Sequence, residues 1–122
     1  MTPLEIGTRL IELTVADREA EALDELYAEG VVSIEGDMDP ESGRWDGIAA
    51  VREKHAWWAG AAMMHQVTAE GPFAGAHSDQ FVVRFTMDVT LQDQPRATST
   101  EVGVYTVADG KIVRELYLPL PS

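Results

Sequence analysis

Cysteine is absent from this 122-residue chain. Disulfides, thiolate nucleophiles and cysteine-ligated zinc are therefore excluded. Basic residues are scarce: seven Arg and two Lys stand against 21 Asp and Glu, and the formal net charge is −12. Nucleic acid and anionic membrane are both held by basic patches, so neither is an expected partner. The ordinary role of such charge is solubility. No apolar run is long enough to span a bilayer. The N-terminus, Met1-Thr2-Pro3-Leu4-Glu5, lacks the basic and apolar segments of a signal peptide. A soluble cytoplasmic protein is the expectation. Phosphate-binding and dinucleotide-binding glycine motifs are missing, as is a nucleophile elbow. The three histidines lack metal-ligand spacing. In the acidic loop Asp37–Gly43, the glycine falls one place late for a calcium loop and Ile48 stands where glutamate is needed. No cofactor and no metal is expected.

What is present suits one domain over residues 1–122, with 45% hydrophobic residues to build a core. The abundance of Ala, with Arg favoured over Lys, hints at a GC-rich bacterial genome. Thr2 can cap a first helix, with Pro3 at its first position and Glu5 closing a capping box. Leu4, Ile6, Leu10, Ile11 and Leu13 give it an apolar stripe. Asp17 can cap a second helix, whose stripe is Ala20, Leu23, Leu26 and Tyr27 and whose stop is Gly30. Val31–Glu35 reads as a short strand and Gly36–Asp46 as a loop. Asp46 can cap a third helix, on which Ile48, Val51, His55, Trp58 and Ala62 share a face.

Strands dominate the remainder. Met63–Gly71 is one candidate, followed by a turn region, Gly71–Ser78. Phe81–Gln92, Ala97–Val107 and Lys111–Pro119 follow. Helices, a short strand, a helix and then antiparallel strands make an α+β pattern. The turn at Ala108-Asp109-Gly110 decides which side chains meet. A two-residue Asp-Gly turn pairs Gly103 with Leu116 and separates Glu101 from Glu115 and Tyr117. A three-residue loop with left-handed Gly110 pairs Gly103 with Glu115. The second arrangement is preferred. It puts Glu101, Gly103, Tyr105, Val113, Glu115 and Tyr117 on one face, with Val102, Val104, Ile112, Leu116 and Leu118 opposite. Both faces are then substantially apolar, which suggests helices on one side and a partner subunit on the other.

Three segments carry a resemblance. They are Leu26-Tyr27-Ala28-Glu29, Arg44–Glu53 opening the third helix (RWDGIAAVRE), and Val104–Val113 (VYTVADGKIV). In these the chain resembles the SnoaL-like group of the nuclear transport factor 2-like superfamily, which includes ketosteroid isomerase. The resemblance implies a cone of curved, mixed or antiparallel sheet packed against three helices from the N-terminal half. It also implies a pocket and a homodimer formed through the open sheet face. The isomerase's catalytic carboxylate, at the end of the first strand, falls at Glu35. Its oxyanion tyrosine falls near Arg9 or Leu10, and its second oxyanion donor at Gly103, two residues after Glu101. The supporting tyrosine of the third helix falls at His55. The final-strand carboxylate of the cyclases and the limonene-epoxide hydrolases falls at Tyr117.

Glu35 is the candidate general base, because a carboxylate desolvated at a pocket floor can take a proton from carbon near neutral pH. Glu101, Glu115 and Tyr117 are the candidates to donate a proton or polarise an oxyanion, two close carboxylates being hard to ionise together. The competing reading pairs Glu101 or Glu115 with Arg84, Arg96 or Arg114. Phe85, His55, His65, Trp57 and Glu115 are expected to line the pocket. On the apolar stripe of its helix His55 reads first as a core histidine, and His77 as an exposed turn residue. Trp45 and Trp58 are further candidate walls, and Met63 and Met64 suit an adaptable surface. The leading expectation is a cofactor-independent isomerase or cyclase acting on an apolar carbonyl compound. The rival is a non-catalytic ligand-binding or dimeric interaction module, with its glutamates ion-paired or solvated.

Overall fold

The computed structural model describes residues 1–121. Helix α1 (Pro3–Val15) starts with the expected capping box: the Glu5 amide donates to Thr2 Oγ1 at 3.2 Å, and the Thr2 amide to Glu5 Oε1 at 2.9 Å. Ile6, Leu10 and Leu13 point into the core, while Leu4 is exposed. Helix α2 (Glu19–Leu26) is capped by Arg18 rather than Asp17, which takes a left-handed φ of 59° between the two helices. Strand β1 (Tyr27–Glu35) begins four residues before Val31, so Gly30 lies within a strand and does not end the helix. Tyr27 and Val31 are buried, and β-branched and aromatic side chains favour the pleat.

The expected loop after β1 closes with a short strand, β2 (Arg44–Asp46). Asp46 pairs with Arg44 in place of capping; Gly47, at φ 89°, occupies the cap of α3 (Ile48–Ala61). Four strands follow: β3 (Ala62–Ala74), β4 (Gln80–Leu91), β5 (Ala97–Ala108) and β6 (Lys111–Pro119). They form one open six-stranded sheet in the order β2-β1-β6-β5-β4-β3. β1 and β6 run parallel and the other neighbours antiparallel, so the sheet is mixed and the fold α+β, as expected.

The core lies between the helices and the inner face of this sheet. Phe81 stacks on Tyr105 with centroids 4.8 Å apart, and Ile6, Leu13, Leu26, Val83 and Ile112 close around them. Each fully buried side chain of this kind contributes roughly 1.5–3 kcal/mol.

The β5–β6 turn follows neither expected register. Ala108 faces Lys111, so the turn has two residues, with Asp109 at φ 51° and Gly110 at φ 73°. One residue further in, the ladder shifts: Val107 faces Ile112, but Thr106 faces Arg114, leaving Val113 as an extra residue. This bulge moves Gly103 opposite Tyr117, with Tyr105 opposite Glu115. Direct partners share a face. The expected grouping of Glu101, Gly103, Tyr105, Glu115 and Tyr117 therefore holds, through a bulge after the turn and not through a three-residue loop. Ile112, expected outside, is fully buried, because the bulge reverses the alternation on its strand.

Candidate functional site

Glu115 is the centre of the inner face. It has no exposed surface and lies opposite Ser33 of β1. Four side chains donate to its carboxylate. Tyr27 (2.5 Å) and Tyr117 (2.9 Å) reach Oε1; Ser33 (2.6 Å) and His55 Nε2 (3.1 Å) reach Oε2. Burial pushes its pKa up, but the His55 charge and the bonds from His55, Ser33 and Tyr27 prevail and hold it at about 2. The partner effect appears on His55: burial pulls its pKa down, yet Glu115 and Glu19 raise it to about 9. At neutral pH the two form a carboxylate–imidazolium pair.

Ser33 joins this pair to a second one. Lys54 Nζ donates to Ser33 Oγ at 2.6 Å and lies 2.8 Å from Glu35 Oε1. Its side chain is almost wholly buried, with the ammonium 4.8 Å from the ring centres of both Trp45 and Tyr117. Lys54 was missed in the sequence reading. The signal was available: it falls three residues after Val51 and four before Trp58, on the same helical face. The α3 stripe is therefore chemically mixed, with Val51, Lys54, His55 and Trp58 all turned toward the sheet.

Gly103 makes room for the tyrosines. A Cβ there would lie 2.7 Å from Tyr105 Cε2 and 2.9 Å from its hydroxyl. Tyr105 thus lies over the glycine and its hydroxyl comes within 3.4 Å of the Tyr117 hydroxyl. Burial raises the pKa of Tyr27, Tyr105 and Tyr117, and the Glu115 charge adds to it. The Tyr27 and Tyr117 protons are committed to Glu115.

Above this floor opens a cavity of about 620 Å³. Glu35, Lys54, His55, Tyr105, Tyr117, Phe85 and Glu101 line it. Glu101 has no hydrogen-bond or ion-pair partner among the described residues. Arg84 and Arg96 pair elsewhere, with Glu70 and Asp88. Burial first, then the charges of Glu35 and Glu115 against a lowering pull from Lys54, raise the Glu101 pKa to about 7. Glu115 lies beneath the cavity, behind Tyr27 and Tyr117.

Three expected pocket residues are not on the cavity's lining: Glu115, beneath the floor, and Trp57 and His65, which lie outside it. Trp57 is 65% exposed and meets Trp58 edge-on; Trp58, four residues after Lys54 on the inward stripe of α3, takes its place at the mouth. His65 sits where the β3–β4 ladder shifts, between Met64 and Gln66, and bonds Thr90 Oγ1 at 2.8 Å. Met64 lines the cavity in its stead. His77 is exposed, as expected.

Three helices on a mixed open sheet, with a cavity above the buried Glu115, define a protein of the nuclear transport factor 2-like kind. The SnoaL-like domain profile matches residues 1–118, and the chain belongs to that family. A solved structure from Mesorhizobium loti is 35% identical, with 97% of this chain and 99% of that one covered and a TM-score of 0.87. It is provisionally assigned as a SnoaL-like polyketide cyclase and also labelled a carbohydrate phosphatase. A provisionally assigned isomerase from Bacillus subtilis is 18% identical, covering 98% and 86% of the two chains at a TM-score of 0.79. A nuclear transport factor 2-like protein of unknown function from Burkholderia pseudomallei is 19% identical, covering 97% and 90% at 0.78. The last two likenesses concern the fold alone. No match was found among curated proteins.

Proposed function

We propose that this chain is a cofactor-independent acid–base enzyme of the isomerase or cyclase kind, acting on an uncharged apolar carbonyl compound. The observation that carries this reading is Glu101: an unpartnered carboxylate on the cavity wall, beside Phe85, with a pKa of about 7. A base poised near working pH combines an adequate ionised fraction with adequate proton affinity. Glu101 takes the proton from the carbon next to the carbonyl. The C–H electron pair enters the enolate, whose oxygen gains the negative charge. The Lys54 ammonium stabilises that oxygen, and Glu35, 2.8 Å from its Nζ, holds it in place. Return of the proton to a different carbon gives an isomerase; attack of the enolate on a second carbonyl gives a cyclase. This moves the base from Glu35, the sequence candidate, to Glu101, because Glu35 is bound to Lys54. Tyr117 orients the floor, its proton being given to Glu115. The polyketide-cyclase assignment of the Mesorhizobium loti relative points the same way.

Exchange of α-hydrogens for deuterium in uncharged cyclic ketones, followed by NMR, tests this without knowledge of the natural substrate. The exchange rate is expected to rise with pH through about 7 and then level. Glu101→Gln is expected to lower it by on the order of 10²–10⁴-fold. Equal exchange by wild type and Glu101→Gln would remove Glu101 from the reaction. The ion pairing of Glu35 and Glu115 favours a second reading, a binding module, which predicts ketone binding with no exchange above buffer.

The outer sheet face supports a homodimer. Val102, Val104 and Leu116 are only half-buried there, and Leu118 and Phe73 are exposed. A second copy covering this face is the proposed assembly.

A further inference from the structure

The two cations of the cavity are partnered unequally. Lys54 has two close acceptors, Ser33 at 2.6 Å and Glu35 at 2.8 Å. His55 has one: its Nε2 lies 3.1 Å from Glu115 Oε2. Its Nδ1 faces Glu19 Oε2 at 3.6 Å, longer than a hydrogen bond. A charged imidazole carries a proton on each nitrogen. The Nδ1–H therefore has no acceptor at bonding distance among the described residues, and Glu115 is held by the other nitrogen of the ring.

His55 and Glu19 both line the cavity. Glu19 is the first residue of α2 and its side chain is 49% exposed, so it borders solvent. Thr14 and Asp17 line the cavity beside it. A donor and an acceptor held slightly too far apart are the setting in which an intervening oxygen joins them. Burial first, and then the charges of Glu35, Glu115 and Glu19, raise the Glu101 pKa. Glu19 therefore acts on Glu101 across the same cavity.

The bridging group is constrained from both sides. It must accept from the imidazolium N–H and donate to the carboxylate. A carboxylate or phosphate would meet Glu19 and Asp17 with like charge, and an ammonium would meet His55 with like charge. An ether or ketone oxygen accepts but has nothing to donate. A hydroxyl does both and carries no charge.

We propose that His55 Nδ1 and Glu19 form a hydroxyl-binding subsite, which selects carbonyl compounds that carry a hydroxyl group remote from the reacting carbonyl. Seating the carbonyl at Glu101 and Lys54 rests on the proposed reaction. The hydroxyl subsite rests on His55 and Glu19 alone. Glu19 is then the residue that sets specificity, and the bond from Nε2 to Glu115 fixes the imidazole ring for the task. Water can make the same two bonds, so the ligand's advantage is modest.

The test is isothermal titration with methyl ketones bearing one hydroxyl at successive chain positions, beside their deoxy parents and their methyl ethers. At the matching position the hydroxyl is expected to raise affinity roughly three- to tenfold over the parent. The methyl ether is expected to bind no tighter than the parent. Glu19→Ala is expected to abolish the advantage and leave the parent's affinity unchanged, while Glu19→Gln, which keeps an oxygen acceptor, retains part of it. No advantage at any position, binding by no member of the series, or an advantage undiminished in Glu19→Ala would overturn the subsite. Hydrogen exchange separates this from the proposed reaction. If the Glu19-dependent advantage is found but wild type exchanges no α-hydrogen, the subsite stands and the reaction falls. If the parents exchange but no hydroxyl improves binding, the subsite falls and the reaction stands.

Discussion

Glu35 and Glu101 line one cavity and Glu115 lies beneath it, and their surroundings give each a separate character. Glu115 is fixed as an anion by four donors, Glu35 is tied to Lys54, and Glu101 is left to titrate. Replacing Glu115 with Gln leaves the buried His55 charge with only the half-exposed Glu19, 3.6 Å away, an expected loss of about 3 kcal/mol in urea unfolding at pH 6. The pH dependence follows from the same pair. His55, raised to about 9, contributes stability that is complete below about 6.5 and is lost as pH rises through 9. Glu115, lowered to about 2, contributes stability that is present above about 4.5 and is lost as pH falls through 2. Both contributions are whole between those limits, and Glu115→Gln is expected to flatten the profile outside them. Glu101 has the opposite sign for a carboxylate. Its raised pKa means that folding favours the protonated form, so it costs stability as pH rises from about 4.5 through 7. Glu101→Gln is expected to gain on wild type across that window, measured by thermal unfolding at stepped pH. At this scale the sequence was partly legible. Strand alternation brought Glu101, Glu115 and Tyr117 together, but it carries no information on pairing, so Glu35 looked free. Lys54 is not legible from the stripe alone, since only the approach of Glu35 from another element explains a buried lysine.

Helices were easier to read than strand edges. The capping box at Thr2 and Glu5 is a local device and needs no tertiary context, whereas β1 starts at Tyr27, which pairs with Ile112 on a strand more than eighty residues away. Gly30 inside β1 and the Gly71 and Pro72 pair inside β3 are residues that single-chain patterns read as breaks. Turn chemistry was half legible: the chain reverses at Asp109-Gly110, the two-residue alternative to the preferred three-residue loop, and the bulge that follows has no sequence signature of its own. Two glycines in this hairpin make separable demands. Gly110 holds a left-handed φ of 73°, and Gly110→Ala is expected to cost about 1 kcal/mol with the cavity intact. Gly103→Ala meets the Tyr105 ring and is expected to cost about 1–3 kcal/mol. Only the second should also alter the near-ultraviolet circular dichroism, since it moves Tyr105 off Tyr117.

For the molecule as a whole, the α+β arrangement was legible because its order of elements and its hydrophobic periods agree. The lining of the cavity was less so, since His65 and Trp57 are each one residue from a position that faces inward. Among the described residues no helix is long and apolar enough to cross a membrane. The half-buried outer face bears on assembly: gel filtration at micromolar concentration is expected to show a dimer, and Val104→Glu a monomer with its ketone exchange retained. Val113 has a different kind of consequence, for which changes of chain length the molecule can absorb. Deleting Val113 would let Arg114 follow Ile112 in an unbroken ladder, with Glu115 still opposite Tyr105. Deleting Leu116, three residues on, would bring Tyr117 opposite Val104 and carry its hydroxyl to the outer side. A lineage can therefore shorten this hairpin by one residue at the bulge without disturbing the buried acid, and almost nowhere else along β6.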